Sequence, residues 1–246
     1  MAGVRNLLMG GQACVLYGAA EFSRDTDLAV LASPENLRCL ERAMDALDAA
    51  VIAVPPAEAR FLDRGHAVHF RCGRDDVRGL RIDVMSRMRG VDEFSRLWER
   101  RTTVQLSDSQ GSELEADVLA LPDLVAAKKT QRDKDWPMIS RLVAVNYFQF
   151  RSEATSTRVP FWLRELRTPE LLIECVQVFP DVSQEVAAER PAVAAALVRD
   201  APRVESEFAA EQAREQELDR VYWAPLRAEL EQLRRARHQG GHTAAE

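Results

Sequence analysis

The sequence predicts an α+β protein, with a small mixed β-sheet and flanking helices followed by a mostly helical C-terminal region. Up to about residue 105, short apolar runs are punctuated by Gly, Pro and Asp. Beyond that point Ala, Leu, Glu and Arg recur at helical spacing, and a polar stretch, SDSQGSELEAD, separates the two compositions. Short runs bounded by turn formers suit strands, and apolar residues returning every three or four positions suit helices packed by one face.

The elements follow in order. RNLLM reads as a strand that Gly10 and Gly11 stop, and QACVLYGA as the short helix after it. DTDLAVLA is a second strand, closed at Ser33-Pro34. Proline fits the first helical position because its missing N–H has no partner there, so a helix starts near Pro34. Leu37, Leu40, Met44 and Leu47 then line one face of that helix and should cover the sheet. HAVHFRC (66–72) and LRIDVMS (80–86) are two further strands, and the polar, Gly-bearing GRDDVRG between them reads as a hairpin connection. From about residue 119, ALPDLVAAKKTQRDKDWPMISRLVAVNY reads as helix, interrupted or restarted near Pro137. The stretch from about Pro191 to Gln239 is helical, with Pro225 expected to start its last helix. No internal repeat is present. The expected organisation is a domain over 1–105, a helical domain over 106–239 and a mobile tail over 240–246.

Composition narrows the function classes. With 33 Lys and Arg against 39 Asp and Glu, the net charge of −6 gives no general attraction for nucleic acid, so an anionic ligand needs a local basic site. The 4 cysteines form no C-x-x-C pair and read as reduced and structural. The opening residues are too short an apolar run for a secretory leader, and no run approaches the ~20 apolar residues of a membrane helix. These features lead us to expect a cytoplasmic protein without membrane contact.

The chemistry concentrates in two short stretches. Asp25 and Asp27 lie two apart in a strand, so their carboxylates share one face. Two such carboxylates repel unless a cation sits between them, and hard oxygen donors suit Mg²⁺ with substrate phosphates completing its shell. Asp83, flanked by apolar residues in RIDVM, adds a third carboxylate if its strand lies beside the first. A strand passing through Gly10-Gly11 into a helix offers backbone N–H groups to a phosphate, and Ser23 adds a hydroxyl. Taken singly, a Gly-Gly pair is commonly a plain turn and an Asp-x-Asp a strand end. The order of the pieces is more specific than any one of them.

That order resembles the nucleotidyltransferase superfamily with the DNA polymerase β-like fold, in particular bacterial minimal nucleotidyltransferases, abortive-infection toxin components and some antibiotic-modifying enzymes. The residues that carry the resemblance are Met9-Gly10-Gly11, Asp25-Thr26-Asp27-Leu28 and Asp83, across about residues 5–145. Ser23 stands where many members have Thr, and Glu21 replaces their usual Arg. The family's helix ahead of the first strand has only a few residues to form from here. Downstream, DLVAAKKTQRDKDWPMISRL resembles the helix that follows the core in these proteins. Lys128 and Arg132, four apart, would share a helix face and reach a triphosphate, with Asp135 orienting one of them or the acceptor.

The resemblance implies transfer of a nucleoside monophosphate from an NTP to an acceptor hydroxyl, with release of pyrophosphate. Asp25 and Asp27 would hold nucleotide-bound Mg²⁺, and Asp83 would complete a second metal position or act as general base. Two metals about 3.5–4 Å apart would serve an in-line displacement. Gly10, Gly11, Ser23, Lys128 and Arg132 would contact the nucleotide. The acceptor is left open among a small molecule, a tRNA end and a protein side chain. The helical region, with Trp162, Tyr222 and Trp223, is either the acceptor-binding lobe or ordinary helical core. The main rival is a catalytically silent module of the same fold, acting as a toxin–antitoxin or scaffold component. A sugar-nucleotide transferase would need a longer doubly wound sheet than the 24 residues ahead of Asp25 allow.

Overall fold

The structure, a computed structural model, describes residues 3–107, 111 and 113–242. It is α+β and falls into two compact units. The first comprises residues 1–15, 22–127 and 221–246, and the second residues 16–21 and 128–220.

The first unit is built on one seven-stranded mixed sheet. Its strands are β1 (Asn6–Met9), β2 (Asp25–Val30), β3 (Ala49–Val51), β4 (Val68–Cys72), β5 (Arg81–Met85), β6 (Thr102–Ser107) and β7 (Glu113–Val118). They lie in the order β3-β4-β5-β2-β1-β7-β6. β2 runs antiparallel to β1 and parallel to β5, while β4 and β5 form the expected antiparallel hairpin around a 3₁₀ turn at Asp75–Val77. Helix α1 (Gly10–Leu16) leaves β1 without an intervening loop.

Helix α2 (Pro34–Ala46) begins as the sequence dictates, with Pro34 in its first turn and the Ser33 hydroxyl accepting the Asn36 N–H at 3.2 Å. Buried Asn36 ties the strand ends together. Its Oδ1 accepts from the Arg5 N–H, and its amide donates to the carbonyls of Arg5 and Leu31. Leu40 and Met44 pack with Val30, Val68, Phe70, Cys72, Ile82 and Val84 into a core on one face of the sheet, with Leu37 and Leu47 at its edge. The alternating burial of β4 and β5 is the consequence, since every second side chain points into this core.

Four features depart from the sequence reading. Strand β3 and the short helices α3 (Ala59–Arg64) and α4 (Phe94–Glu99) are additional elements. The polar stretch expected to separate two domains belongs instead to a hairpin. β6 and β7 pair antiparallel from Thr102↔Val118 to Ser107↔Glu113 and join the sheet through β1, so residue 105 falls inside β6. Residues 108–110 and 112 lie outside the described residues. As expected near Pro137, the helical stretch over 120–147 is interrupted and restarts, forming α5 (Leu121–Ala127) and α6 (Asp135–Phe150), and Pro137 lies in the first turn of the second, where a missing N–H costs little. Pro225 starts no helix: it lies inside α11 (Ala201–His242), one turn beyond Val221, whose carbonyl loses its usual partner and whose side chain is exposed. Of the expected tail, 240–242 continue α11 and 243–246 lie outside the described residues.

The second unit is helical, with α6, α7 (Arg158–Glu165), α8 (Pro169–Val178), α9 (Pro180–Ala187), α10 (Pro191–Leu197) and the part of α11 up to Arg220. Trp162 is fully buried, meets the Tyr147 ring edge-on at 5.2 Å and donates its indole N–H to Asn146 at 2.9 Å. Buried Arg190 makes four hydrogen bonds. It makes two bonds to Glu211, at 2.8 and 2.9 Å, and donates to the carbonyls of Leu163 and Leu166. No helix among the described residues is long and apolar enough to cross a membrane.

Candidate functional site

The face of the sheet opposite the α2 core carries the acidic residues. In the parallel pair, Asp25 lies opposite Arg81 and Asp27 opposite Asp83. On the far side of β5, His69 lies opposite Asp83 and Arg71 opposite Arg81. On the near side of β2, Met9 lies opposite Asp27. Directly opposed residues in a sheet share a face, so one row runs Met9, Asp27, Asp83, His69 and the next runs Asp25, Arg81, Arg71. The three aspartates therefore come together as neighbours on adjacent strands, and the strand of Asp83 lies directly beside that of Asp25 and Asp27.

The glycine pair has a steric reason at this place. Met9 pairs with Asp27, so the residue after Met9 starts α1 against the Asp27 side chain. A Cβ on Gly10 would lie 1.8 Å from Asp27 Oδ2, and the backbone there is left-handed, with φ +63°. A Cβ on Gly11 would lie 2.3 Å from the Ser23 hydroxyl oxygen. Gly10 makes room for the carboxylate and Gly11 for the hydroxyl. The Gly11 N–H points at Asp27 Oδ2 at 3.4 Å, and the Ser23 hydroxyl donates to the Asp25 carbonyl at 3.1 Å. The N–H groups of this seven-residue helix are thus met at their start by a carboxylate rather than left bare, as the sequence reading had them.

Asp83 is held by two partners that the sequence reading did not name. Arg81 donates its Nε–H to Asp83 Oδ1 at 2.7 Å, and His69 Nδ1 lies 2.8 Å from the same oxygen. Arg81 Nη2 lies 3.1 Å from His69 Nδ1. Burial pushes the Asp83 carboxyl upward, but the hydrogen bonds from His69 and Arg81 outweigh it and hold the carboxyl below its ordinary value. The hydrogen bond to Asp83, reinforced by the charges of Asp83, Asp25 and Asp27, holds the Arg81 guanidinium still more firmly charged than usual. The signal for both partners was present in the strand alternation. In LRIDVMS, Arg81 and Asp83 have the same parity, as have His69 and Arg71 in HAVHFRC.

Asp25 and Asp27 suit a divalent ion in their chemistry, being half-buried carboxylates on one face; the room that Gly10 leaves is taken by the Asp27 carboxylate itself. Asp83 fits less well as a third ligand, since one of its oxygens already serves a guanidinium and an imidazole. Among the described residues, no three His, Cys, Asp or Glu side chains are placed to hold a metal ion together.

Lys128 and Arg132 belong to the second unit and do not share a helix face. Both lie in the irregular segment between α5 and α6. Arg132 is held by Asp135, Nε to Oδ2 at 2.8 Å. The segment is fixed by its own hydrogen bonds, since the Trp136 indole N–H donates to the Thr130 carbonyl and Asp219 accepts from the Gln131 N–H. Its backbone has other partners, so the helix breaks. Among the aromatic residues considered for an acceptor, Trp162 is core. Tyr222 places its hydroxyl over Gly65, 2.6 Å from where a Cβ would stand.

No protein-family model matches the sequence, and no curated protein is significantly similar to it.

Proposed function

We propose that this chain is a Mg²⁺-dependent nucleotidyltransferase that moves a nucleoside monophosphate from an NTP to an acceptor hydroxyl and releases pyrophosphate. The observation that carries the reading is the packing of the Asp27 carboxylate over Gly10 at the β1–α1 junction, with Asp25 on the same strand face and Asp83 beside it on β5. Half-buried carboxylates concentrated this closely are costly unless they meet cations, and a nucleotide-bound Mg²⁺ is a cation that accepts two carboxylates and brings phosphates with it.

In this reading Asp25 and Asp27 hold the ion, and Gly10 keeps the Asp27 carboxylate at the start of α1. Ser23 buttresses the turn through Gly11 and the Asp25 carbonyl. Asp83 orients His69 and anchors Arg81. When bound, the ion neutralises phosphate charge and orients the reacting phosphoryl group. The chain's own contribution is position and fixed charge.

The test is a calorimetric titration of Mg²⁺-ATP and the other three NTPs into the wild type and into Asp25→Asn/Asp27→Asn. Binding that is abolished in the double variant supports the reading. No binding of any NTP by the wild type overturns it. A second reading, a silent module of the same fold serving as a scaffold or toxin–antitoxin component, draws support from the Arg81–Asp83–His69 contacts, which engage the third carboxylate with the protein's own groups. It predicts no NTP binding in the same titration.

A further inference from the structure

The helical second unit encloses a cavity of about 260 Å³ whose wall is charged rather than apolar. Glu165 and Arg167, at the turn from α7 into α8, line it together with Glu211 and Arg214 of α11 and Arg190 just ahead of α10. Its volume lies just below the roughly 300–1,000 Å³ of sites for drug-sized ligands, so an occupant is a smaller molecule.

Arg167 and Arg190 are both more than nine-tenths buried along their side chains, yet they are served differently. Arg190 takes both oxygens of Glu211 and two backbone carbonyls. Arg167 meets the same carboxylate through Nη1, 3.2 Å from an oxygen that already accepts from Arg190. Its guanidinium carbon lies 4.7 Å from the centre of the Trp136 ring, and its buried Nε has no hydrogen-bond partner. One carboxylate thus serves two buried guanidiniums. Burial and the Arg190 charge push the Arg167 guanidinium below its ordinary value, outweighing the attraction of Glu211, Glu165 and Glu215. A guanidinium keeps its proton even so, and a buried charge served this poorly calls for an anionic partner.

The complementary vacancy lies on the same wall. Glu165 accepts from Lys129 through Oε1 at 2.7 Å, but its Oε2 is buried and has no hydrogen-bond partner. A bare anion on Arg167 would be opposed by Glu165, and a bare cation on Glu165 by Arg167. A ligand carrying both charges satisfies both groups. Further out, Arg164 is paired with Glu189, whereas exposed Arg214 has no ion-pair partner among the described residues.

We propose that this cavity binds a small zwitterion of the amino-acid class, with its carboxylate held by Arg167 and Arg214 and its ammonium by Glu165. The planar fork of a guanidinium matches a carboxylate, and a carboxylate oxygen accepts from an ammonium. The site shares no residue with the acidic face of the sheet and stands independently of the nucleotidyltransferase reading.

The test is a calorimetric titration of the common L-amino acids into the full chain, with acetate, methylammonium and inorganic phosphate as the singly functional probes. At least one amino acid is expected to bind, one per chain, more tightly than any of these three. Glu165→Gln and Arg214→Gln should each weaken it by about tenfold or more, as for loss of a hydrogen bond to a charged group, and Arg167→Gln should abolish it. Glu165→Gln should also strengthen acetate binding, because it removes the opposing carboxylate. No binding of any amino acid overturns the proposal. So does acetate or phosphate binding as tightly as the best amino acid, which would make this a plain anion site. If circular dichroism shows that Arg167→Gln does not fold, the other two variants decide, since amino-acid binding that neither weakens refutes the assignment.

Discussion

Gly10 shows how one residue links conformation to chemistry. Its left-handed backbone and the Asp27 carboxylate over its missing side chain both exclude alanine. Gly10→Ala is expected to lose roughly 2–4 kcal/mol of stability, from the strained backbone and the displaced carboxylate. Urea unfolding measures the loss, and wild-type stability in the variant would refute the steric account. The cysteines give a second residue-scale prediction. Cys14, Cys72 and Cys175 are buried and Cys39 is half-buried. Burial pushes the Cys175 thiol up to about 12, leaving it protonated and inert at neutral pH. A thiol-reactive dye should label Cys39 first in the native protein and the other three only in denaturant, as peptide mapping would show.

At the scale of elements, α3 and the end of α11 are joined by a buried contact within the first unit. His66 is fully buried and lies 2.7 Å from Glu229, which also pairs with Arg64 at 2.7 Å. The turn into His66 is made by Gly65 with φ +100°, packed against Tyr222. Glu229→Ala would leave a buried imidazole without its carboxylate and is expected to cost about 1–3 kcal/mol. Chemical denaturation measures the loss. A change below about 0.5 kcal/mol, the usual range for a surface substitution, would show that the contact contributes little.

For the whole molecule, stability should depend on acid through a few carboxylates rather than through the net charge of −6. Burial raises Glu211, but the hydrogen bond from Arg190 and the charges of Arg190, Arg167 and Lys129 hold it below its ordinary value, as His69 and Arg81 hold Asp83. A carboxyl depressed in the folded state binds its proton less readily there than in the unfolded chain. Its contribution is complete above the ordinary carboxylate range and is lost as the pH falls through that range and below. Urea midpoints should therefore be flat near neutrality and fall in acid. Glu211→Gln should start lower and show a shallower fall; an unchanged slope would place the acid sensitivity elsewhere.

Local patterns in the sequence were enough for the α+β class, the strand of Asp25 and Asp27, the β4–β5 hairpin and the start of α2 at Ser33-Pro34, because alternation, helical spacing and capping act over a few residues. The shared parity of Arg81 and Asp83 was legible there too, though it was not read as a contact. Local patterns did not disclose β6 and β7, whose polar stretch imitates a domain boundary, nor the start of the break between α5 and α6, where Asp219 from far along the chain takes a backbone N–H that a helix would have used. Strand register decided the rest. Whether Asp83 faced Asp27, and whether His69 stood beside it, depended on which strands lie side by side. Those neighbours are chosen by burial of side chains distant in sequence, and only the folded chain brings them together.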